Sequence, residues 1–208
     1  MRSFKFINLL FVLLVLVLAL PVVGFARQIV TVYGDENSSR AQLKFGEYSS
    51  DSKYTEYLST EAIVGKNGIT FNKKEGDAKT PAGRYTLGYL FGIEHNPGAK
   101  LPYRQVTEDD YWVDDVESIY YNKWVNVKQV KKDWTSAEHL VDYPRQYAYA
   151  AVIGYNTEDI VVGAGSAIFL HCTATKNYTA GCVAIPTEAM KVIVKKLKPG
   201  AEIDIKIR

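Results

Sequence analysis

The sequence predicts a mostly β fold with a few helices. Runs of alternating or continuous β-branched and aromatic residues recur along the chain, and Gly- and Pro-containing turns separate them. Only one stretch shows clear helical periodicity. The chain has 208 residues, 47% of them hydrophobic and 23% charged, which suits one domain with a substantial core. Its two cysteines are too few for a disulfide-rich scaffold.

Residues 1–26 show the three-part pattern of a secretory signal peptide. Arg2 and Lys5 are its only charges, residues 9–20 are an unbroken apolar run, and Ala26 ends a small-residue cleavage site. The run is short for a membrane span of about 20 residues; the alternative is an uncleaved anchor, and we expect transient membrane association through this segment. We expect export to the periplasm, the cell wall or the extracellular space. Cleavage would remove the formal surplus of +2, which leaves no basic excess for nucleic acid.

The elements that follow are predicted mainly as strands. Residues 28–33 alternate β-branched side chains and predict a strand, whereas residues 34–55 are rich in Ser, Asp, Glu and Tyr and predict a loosely specified segment. Short strands are expected at residues 69–71 and 83–87, around a turn-rich stretch, and a buried strand at residues 147–155. This succession of short strands makes the predicted fold mostly β.

The end of the chain predicts a strand, a helix and a final strand. Residues 167–171 are apolar and form a strand that ends at His171. A helix begins after Pro186, with Thr187 as its N-cap, and residues 203–207 alternate Ile with charged residues in a half-buried strand. The apolar face of the helix consists of Met190, Ile193, Val194 and Leu197.

The candidate catalytic residues converge on one short segment. Cys182 follows Gly181, which lets the backbone approach a ligand carbonyl, and a cysteine nucleophile needs a neighbour such as His171 to favour the thiolate. The backbone N–H groups of Ala180, Gly181 and Cys182 are candidates for an oxyanion hole. Cys172 would point to the opposite face of its strand from His171, as a small buried side chain.

Three other interpretations stay open at this point. Export would allow a disulfide between Cys172 and Cys182. A zinc site that used His171 and both cysteines would lack a fourth ligand at a recognisable spacing, so no metal is expected. His171 is also compatible with a satisfied histidine in the core.

The same segment resembles the L,D-transpeptidase catalytic domain, the YkuD-type family of bacterial cell-wall enzymes. The family signature is a His that ends a strand and a Ser/Thr-x-Gly-Cys turn before a hydrophobic residue. Here it stands as His171, residues 179–182 and Val183. Residues 80–83 are similar to the family's Thr-Pro-x-Gly turn before a core strand.

This resemblance implies a catalytic domain at residues 62–208, preceded by an N-terminal segment at residues 27–61. The implied fold is an L,D-transpeptidase-like β-sandwich or barrel with a C-terminal helix and strand. Cys182 would be the nucleophile and His171 the general base in acyl transfer from a peptidoglycan stem tetrapeptide through a thioester. This reaction serves cell-wall biogenesis and cell shape and needs no cofactor. The alternatives are an L,D-carboxypeptidase, with water as acceptor, and a non-catalytic cell-wall-binding module.

The chain departs from the family pattern at two positions. Ala180 stands where many members have His, and Ala184 stands where many have an Arg suited to a substrate carboxylate. Residues 92–126 mix aromatic and polar side chains and are expected to form the substrate side of the site. Arg104 is the predicted replacement partner for the carboxylate. The other predicted substrate-binding residues are Tyr103, Trp112, Tyr121, Asn122 and Thr179.

Overall fold

The computed structural model describes residues 26–208, so residues 1–25 of the predicted signal peptide lie outside it. The strands in chain order are β1 (Arg27–Gly34), β2 (Arg40–Tyr48), β3 (Tyr54–Ile63), β4 (Ile69–Thr70), β5 (Thr80–Pro81), β6 (Gly83–Gly92), β7 (Tyr103–Gln105), β8 (Asp110–Val113), β9 (Lys123–Asn126), β10 (Ala137–His139), β11 (Ala150–Ile153), β12 (Phe169–Cys172), β13 (Val183–Ile185) and β14 (Glu202–Ile207). The helical elements are α1 (Thr187–Lys196) and two 3₁₀ turns, Leu140–Asp142 and Gln146–Ala148.

Nine of these strands form the main sheet, and eight of the nine close into a ring. The order around the ring is β11, β12, β13, β3, β2, β1, β14 and β6, and β6 pairs again with β11. β7 adds to β6 outside the ring. The predicted mostly β, barrel-like fold with a C-terminal helix and strand is confirmed.

The prediction of a loosely specified segment at residues 34–55 is wrong. β2 and the start of β3 occupy most of it and pair in antiparallel register, with a bulge after Phe45. β3 buries only Ala62, so its many exposed side chains hide the alternation of polar and apolar residues that marks a strand. The predicted boundary between residues 61 and 62 falls inside β3.

Two further local predictions differ from the structure. The segment predicted as a strand from residue 147 begins with a 3₁₀ turn, and the strand itself is β11. Thr187 is the first helical residue of α1 and not its N-cap. The N-cap is Pro186, because its carbonyl accepts the first helical hydrogen bond, from the Met190 N–H at 3.0 Å.

The main core lies between α1 and the ring of strands. α1 packs against β3, β11 and β12, and its predicted apolar face is fully buried there. From β14, Ile203 and Ile205 are buried in the same core, together with Cys172. No helix among residues 26–208 has the length and hydropathy needed to cross a bilayer.

A second cluster, rich in aromatic residues, borders the small sheet formed by β10, β8 and β9. Phe91, Trp112 and Tyr147 each meet Phe169 edge to face, with ring centroids 4.8–5.7 Å apart. Cys182 belongs to this cluster and not to the main core. The aromatic rings therefore pack behind the turn that carries Cys182.

Candidate active site

A tight turn before β13 holds Cys182. The Thr179 hydroxyl accepts a hydrogen bond from the Gly181 N–H at 3.1 Å and donates to the Cys182 carbonyl at 2.7 Å. A Cβ at Gly181 would lie 3.0 Å from the Lys79 carbonyl oxygen and 3.1 Å from Ile168 Cδ1. Glycine is therefore needed at position 181 for close packing of the turn against two neighbouring segments.

The Cys182 thiol is held by two backbone groups. Its S–H donates to the Ala167 carbonyl at 3.1 Å, and its sulfur accepts from the Phe169 N–H at 3.3 Å. Burial raises the pKa of this thiol well above its usual range, and the nearby Glu138 carboxylate raises it further. Cys182 therefore rests as a neutral thiol that needs a base before it can react.

His171 in β12 has the properties of such a base. Its Nδ1 lies 2.8 Å from the Cys172 carbonyl oxygen, which can only accept, so the hydrogen sits on Nδ1 and leaves the Nε2 lone pair free. Burial lowers the pKa of His171 to about 4. The imidazole is therefore neutral at neutral pH, which is the form that a general base requires.

Two cavities meet at Cys182. The first has a volume of about 220 Å³ and contains His171, and the second has a volume of about 140 Å³ and contains Asp114. Ala180, Cys182 and Glu138 line both cavities. Cys182 therefore borders both cavities.

Glu138 lines both cavities and was not predicted from the sequence. Its carboxylate accepts a hydrogen bond from the Tyr147 phenol, and burial raises its pKa to about 7. In the second cavity, Asp114 has a buried Oδ1 without a partner, and burial raises its pKa. No local pattern could have identified Glu138, because the pairing of β10 with β8 brings it to the site.

Lys176 is a second residue that the sequence analysis missed. It lines the first cavity together with Tyr178 and Thr179. Its Nζ lies 5.7 Å from the centre of the Tyr178 ring, and the side chain is exposed. The loop between β12 and the Cys182 turn thus places a positive charge at the cavity that contains His171.

The structure does not bring Arg104 and Tyr103 to Cys182. The Arg104 guanidinium bonds Asp110 at 2.8 Å and lies 4.2 Å from the centre of the Trp124 ring. The Tyr103 hydroxyl donates to the Glu94 carbonyl at 2.9 Å. Neither residue lines either cavity at Cys182, so the carboxylate role predicted for Arg104 has no geometric support.

Three other predicted substrate-binding residues are buried and support the site from behind. Asn122 Oδ1 accepts hydrogen bonds from Trp112 Nε1 at 2.9 Å and from the Ala167 N–H at 3.0 Å. The Tyr121 hydroxyl donates to the Glu75 carboxylate at 2.6 Å. Asn122 therefore positions Ala167, whose carbonyl in turn holds the Cys182 thiol. Of the predicted set, Thr179 does line the first cavity.

The two cysteines are both free. Cys172 lies in the main core, with its sulfur 3.5 Å from the Tyr149 carbonyl oxygen, whereas Cys182 lies in the aromatic cluster. The disulfide that the sequence left open is therefore not formed. Residues 26–208 contain no group of three or more side chains arranged to hold a metal ion.

The fold and the site together define a mostly β domain in which a cysteine and a neutral histidine line one cavity. Residues 39–205 match the family described as the L,D-transpeptidase catalytic domain, YkuD. This match covers most of the chain, and the protein therefore belongs to the L,D-transpeptidase catalytic domain family. Comparison with curated proteins and with solved structures gives no match. The resemblance found in the sequence is confirmed.

Proposed function

We propose that this protein is an exported, cysteine-dependent peptidoglycan L,D-transpeptidase. The observation that carries the proposal is that Cys182 and His171 line the same cavity, with a neutral thiol on one residue and a neutral imidazole whose Nδ1–H is fixed on the other. Membership in the L,D-transpeptidase family supports the peptidoglycan substrate. The signal-like pattern of residues 1–26 supports export.

The first half-reaction forms a thioester on Cys182. His171 Nε2 takes the thiol proton as the sulfur attacks the carbonyl carbon of the L-to-D peptide bond in a stem tetrapeptide. The C–N bond then breaks, and His171 gives the proton to the departing amine of the terminal D-residue. His171 is neutral again when the thioester has formed.

The carbonyl oxygen carries negative charge during each attack and needs hydrogen-bond donors. The Gly181 N–H is already bonded to Thr179, so the predicted oxyanion hole narrows to the N–H groups of Ala180 and Cys182. Both residues line the two cavities at the thiol.

Lys176 takes the role that the sequence analysis gave to Arg104. It is a basic side chain on the cavity of His171, and a stem peptide presents a carboxylate beyond the bond that is cleaved. An exposed ammonium can bind that carboxylate as a point charge, with less directional control than the fork of an arginine. Lys176 therefore contributes to substrate affinity more than to the chemical step.

The second half-reaction transfers the acyl group to an acceptor. An amine of a second stem attacks the thioester carbonyl, the C–S bond breaks, and an amide cross-link forms. If water attacks the thioester carbonyl instead of an amine, the acyl group is released as a tripeptide.

Incubation of the purified protein with a defined stem tetrapeptide, followed by mass spectrometry of the protein and the products, tests the proposal. We expect a mass gain on Cys182 equal to the mass of the tetrapeptide minus that of the free D-amino acid that is released, and a cross-linked product when a second stem is present. Cys182→Ala is the control and gains no mass. An unmodified protein that neither gains mass nor releases the D-residue would contradict the proposal.

A further inference from the structure

We propose that Glu138 is a further catalytic residue, which takes the first proton from the ammonium group of the acyl acceptor. The inference deepens the proposed function and rests on it, because it assigns a residue to the second half-reaction. It divides the site into a donor side, with His171 and Lys176, and an acceptor side, with Glu138 and Asp114.

The position of Glu138 carries the proposal. β10 pairs with β8 so that Glu138 lies opposite Trp112, whose ring packs on Phe169 beside the thiol. Glu138 and Cys182 line both cavities. A molecule that reaches the thioester through the second cavity therefore enters a space whose wall includes Glu138.

The hydrogen bonding of Glu138 leaves room for a ligand. The phenol of Tyr147 donates to Oε2 and fixes the plane of the carboxylate, and Oε1 is left for a second donor. The same Tyr147 ring packs edge to face on His171, with centroids 5.6 Å apart. One tyrosine therefore orients both proposed bases of the site.

The charged and titratable groups around Glu138 favour a cation. Glu75 and Asp114 act on it from the second cavity, Tyr143 and Tyr147 face it from the segment of the 3₁₀ turns, and Cys182 lies across the cavity. Lys73 also lines the second cavity, but its Nζ is paired with Asp77 at 2.7 Å. These acidic groups attract the ammonium form of an amine.

The chemistry of amine transfer requires a second base. A primary amine with a pKa of about 10 is almost fully protonated at neutral pH, and it must lose two protons to become an amide. His171 can take only one proton and pass it to the leaving sulfur. Water as acceptor is already uncharged, so hydrolysis does not need the additional base.

All protons are accounted for when Glu138 acts as the second base. Its carboxylate takes one proton from the ammonium, and the free amine attacks the thioester carbonyl. The C–S bond breaks, and the second amine proton passes through His171 to the Cys182 sulfur. Glu138 then releases its proton to water. Its raised pKa, about 7 because of burial, suits a base that is partly ionised at neutral pH.

The variant Glu138→Gln tests the proposal through the ratio of transfer to hydrolysis. With a primary-amine acceptor at about pH 7, we expect this ratio to fall at least about tenfold. The ratio compares two fates of the same thioester, so it is independent of how fast the thioester forms. The defect should shrink as the pH approaches the pKa of the amine, about 10. Glu94→Gln is the matched control, because Glu94 is exposed and does not line either cavity.

A measurement on the unmodified protein keeps the test valid if Glu138→Gln does not fold. Hydroxylamine is already unprotonated at neutral pH, so its transfer should not depend on Glu138 ionisation. Transfer to a primary amine should rise up to about pH 7 and then level off, well below the pKa of the amine, about 10. A rate of transfer to the primary amine that rises steadily to about pH 10, as the ionisation of the amine alone predicts, or an unchanged ratio in Glu138→Gln, would overturn the inference. Absence of the thioester in the unmodified protein would instead overturn the proposed function.

Discussion

Cys172 and Cys182 are the same residue type on adjacent strands or their ends, and their surroundings differ completely. Cys172 is fully buried in the main core, among the aliphatic side chains beneath α1. Cys182 lies at the junction of two cavities, against aromatic rings, a histidine and a carboxylate. Burial raises the pKa of both thiols.

This comparison shows that a shifted thiol pKa does not identify a nucleophile here. What distinguishes Cys182 is access and a base: it lines two cavities, and His171 shares one of them with its Nε2 lone pair free. Cys172 lines neither cavity. His171 and Cys172 are neighbours on β12, and neighbouring residues of a strand point to opposite faces. His171 therefore lines the cavity of Cys182, and Cys172 points into the main core.

Alanine substitutions of the two cysteines should give the largest difference in activity between two variants. We expect Cys182→Ala to reduce the rate of thioester and product formation by at least about 10³-fold, because the nucleophile is lost. Cys172→Ala should keep the rate within about threefold. Product formation by mass spectrometry measures both, and equal losses in the two variants would remove the distinction between the cysteines.

The role of His171 predicts the next largest effect. His171→Gln removes the base but leaves a polar side chain in β12, and the rate of thioester formation should fall about 10²- to 10⁴-fold. Circular dichroism checks that the fold is kept. A rate within threefold of that of the unmodified protein would show that Cys182 does not need this base.

The buried neutral state of His171 also predicts a pH-dependent stability. Burial lowers its pKa to about 4, so below about pH 6.5 the unfolded chain binds a proton that the folded protein does not. The stabilisation is therefore present at about pH 7 and is lost as the pH falls to about 4, a change of about 3 kcal/mol.

Glu138 changes the free energy of unfolding in the opposite direction as the pH falls. Its pKa is raised to about 7, so its protonation stabilises the folded state at lower pH. The measurement must therefore be the difference in unfolding free energy between the unmodified protein and His171→Gln, from denaturant titrations at several pH values. A difference that does not change with pH would mean that folding does not shift the pKa of His171.

The smallest expected effect is on the stability of Cys172→Ala. Its sulfur fills space in the main core, and its removal should cost about 1 kcal/mol of unfolding free energy. Denaturant unfolding compares it with Cys182→Ala. A larger loss for Cys182→Ala would indicate that the bonds of the Cys182 thiol to Ala167 and Phe169 have a structural role.

The sequence predicted the elements whose apolar residues form a recognisable pattern. In α1 and β14 the apolar residues recur at three to four positions or at every second position, and β1 is a run of β-branched residues that is buried on both faces. β3 could not be predicted in this way, because only Ala62 is buried along it. Its pairing with β2 depends on the tertiary structure and cannot be inferred from the order of apolar and polar residues along β3.

The same limit applies to the candidate site. Cys182 and His171 could be recognised because the turn and the strand that carry them lie close in sequence. Glu138 and Lys176 became visible only through the cavities that they line. The substrate-binding role predicted for Arg104 does not fit the structure. Asp110 and Trp124 hold the Arg104 guanidinium, and Arg104 lines neither cavity.

The pairing of β1 with β14 has a consequence for the order of folding. Ile29 lies opposite Glu202, so the ring joins opposite ends of the described chain. Contacts of such high sequence separation are slow to form, because loop-closure entropy is lost before they stabilise the chain. The edge of β1 stays without its final partner until β14 is available to pair with it. Closure of the ring is therefore a late event in folding, and it depends on β14.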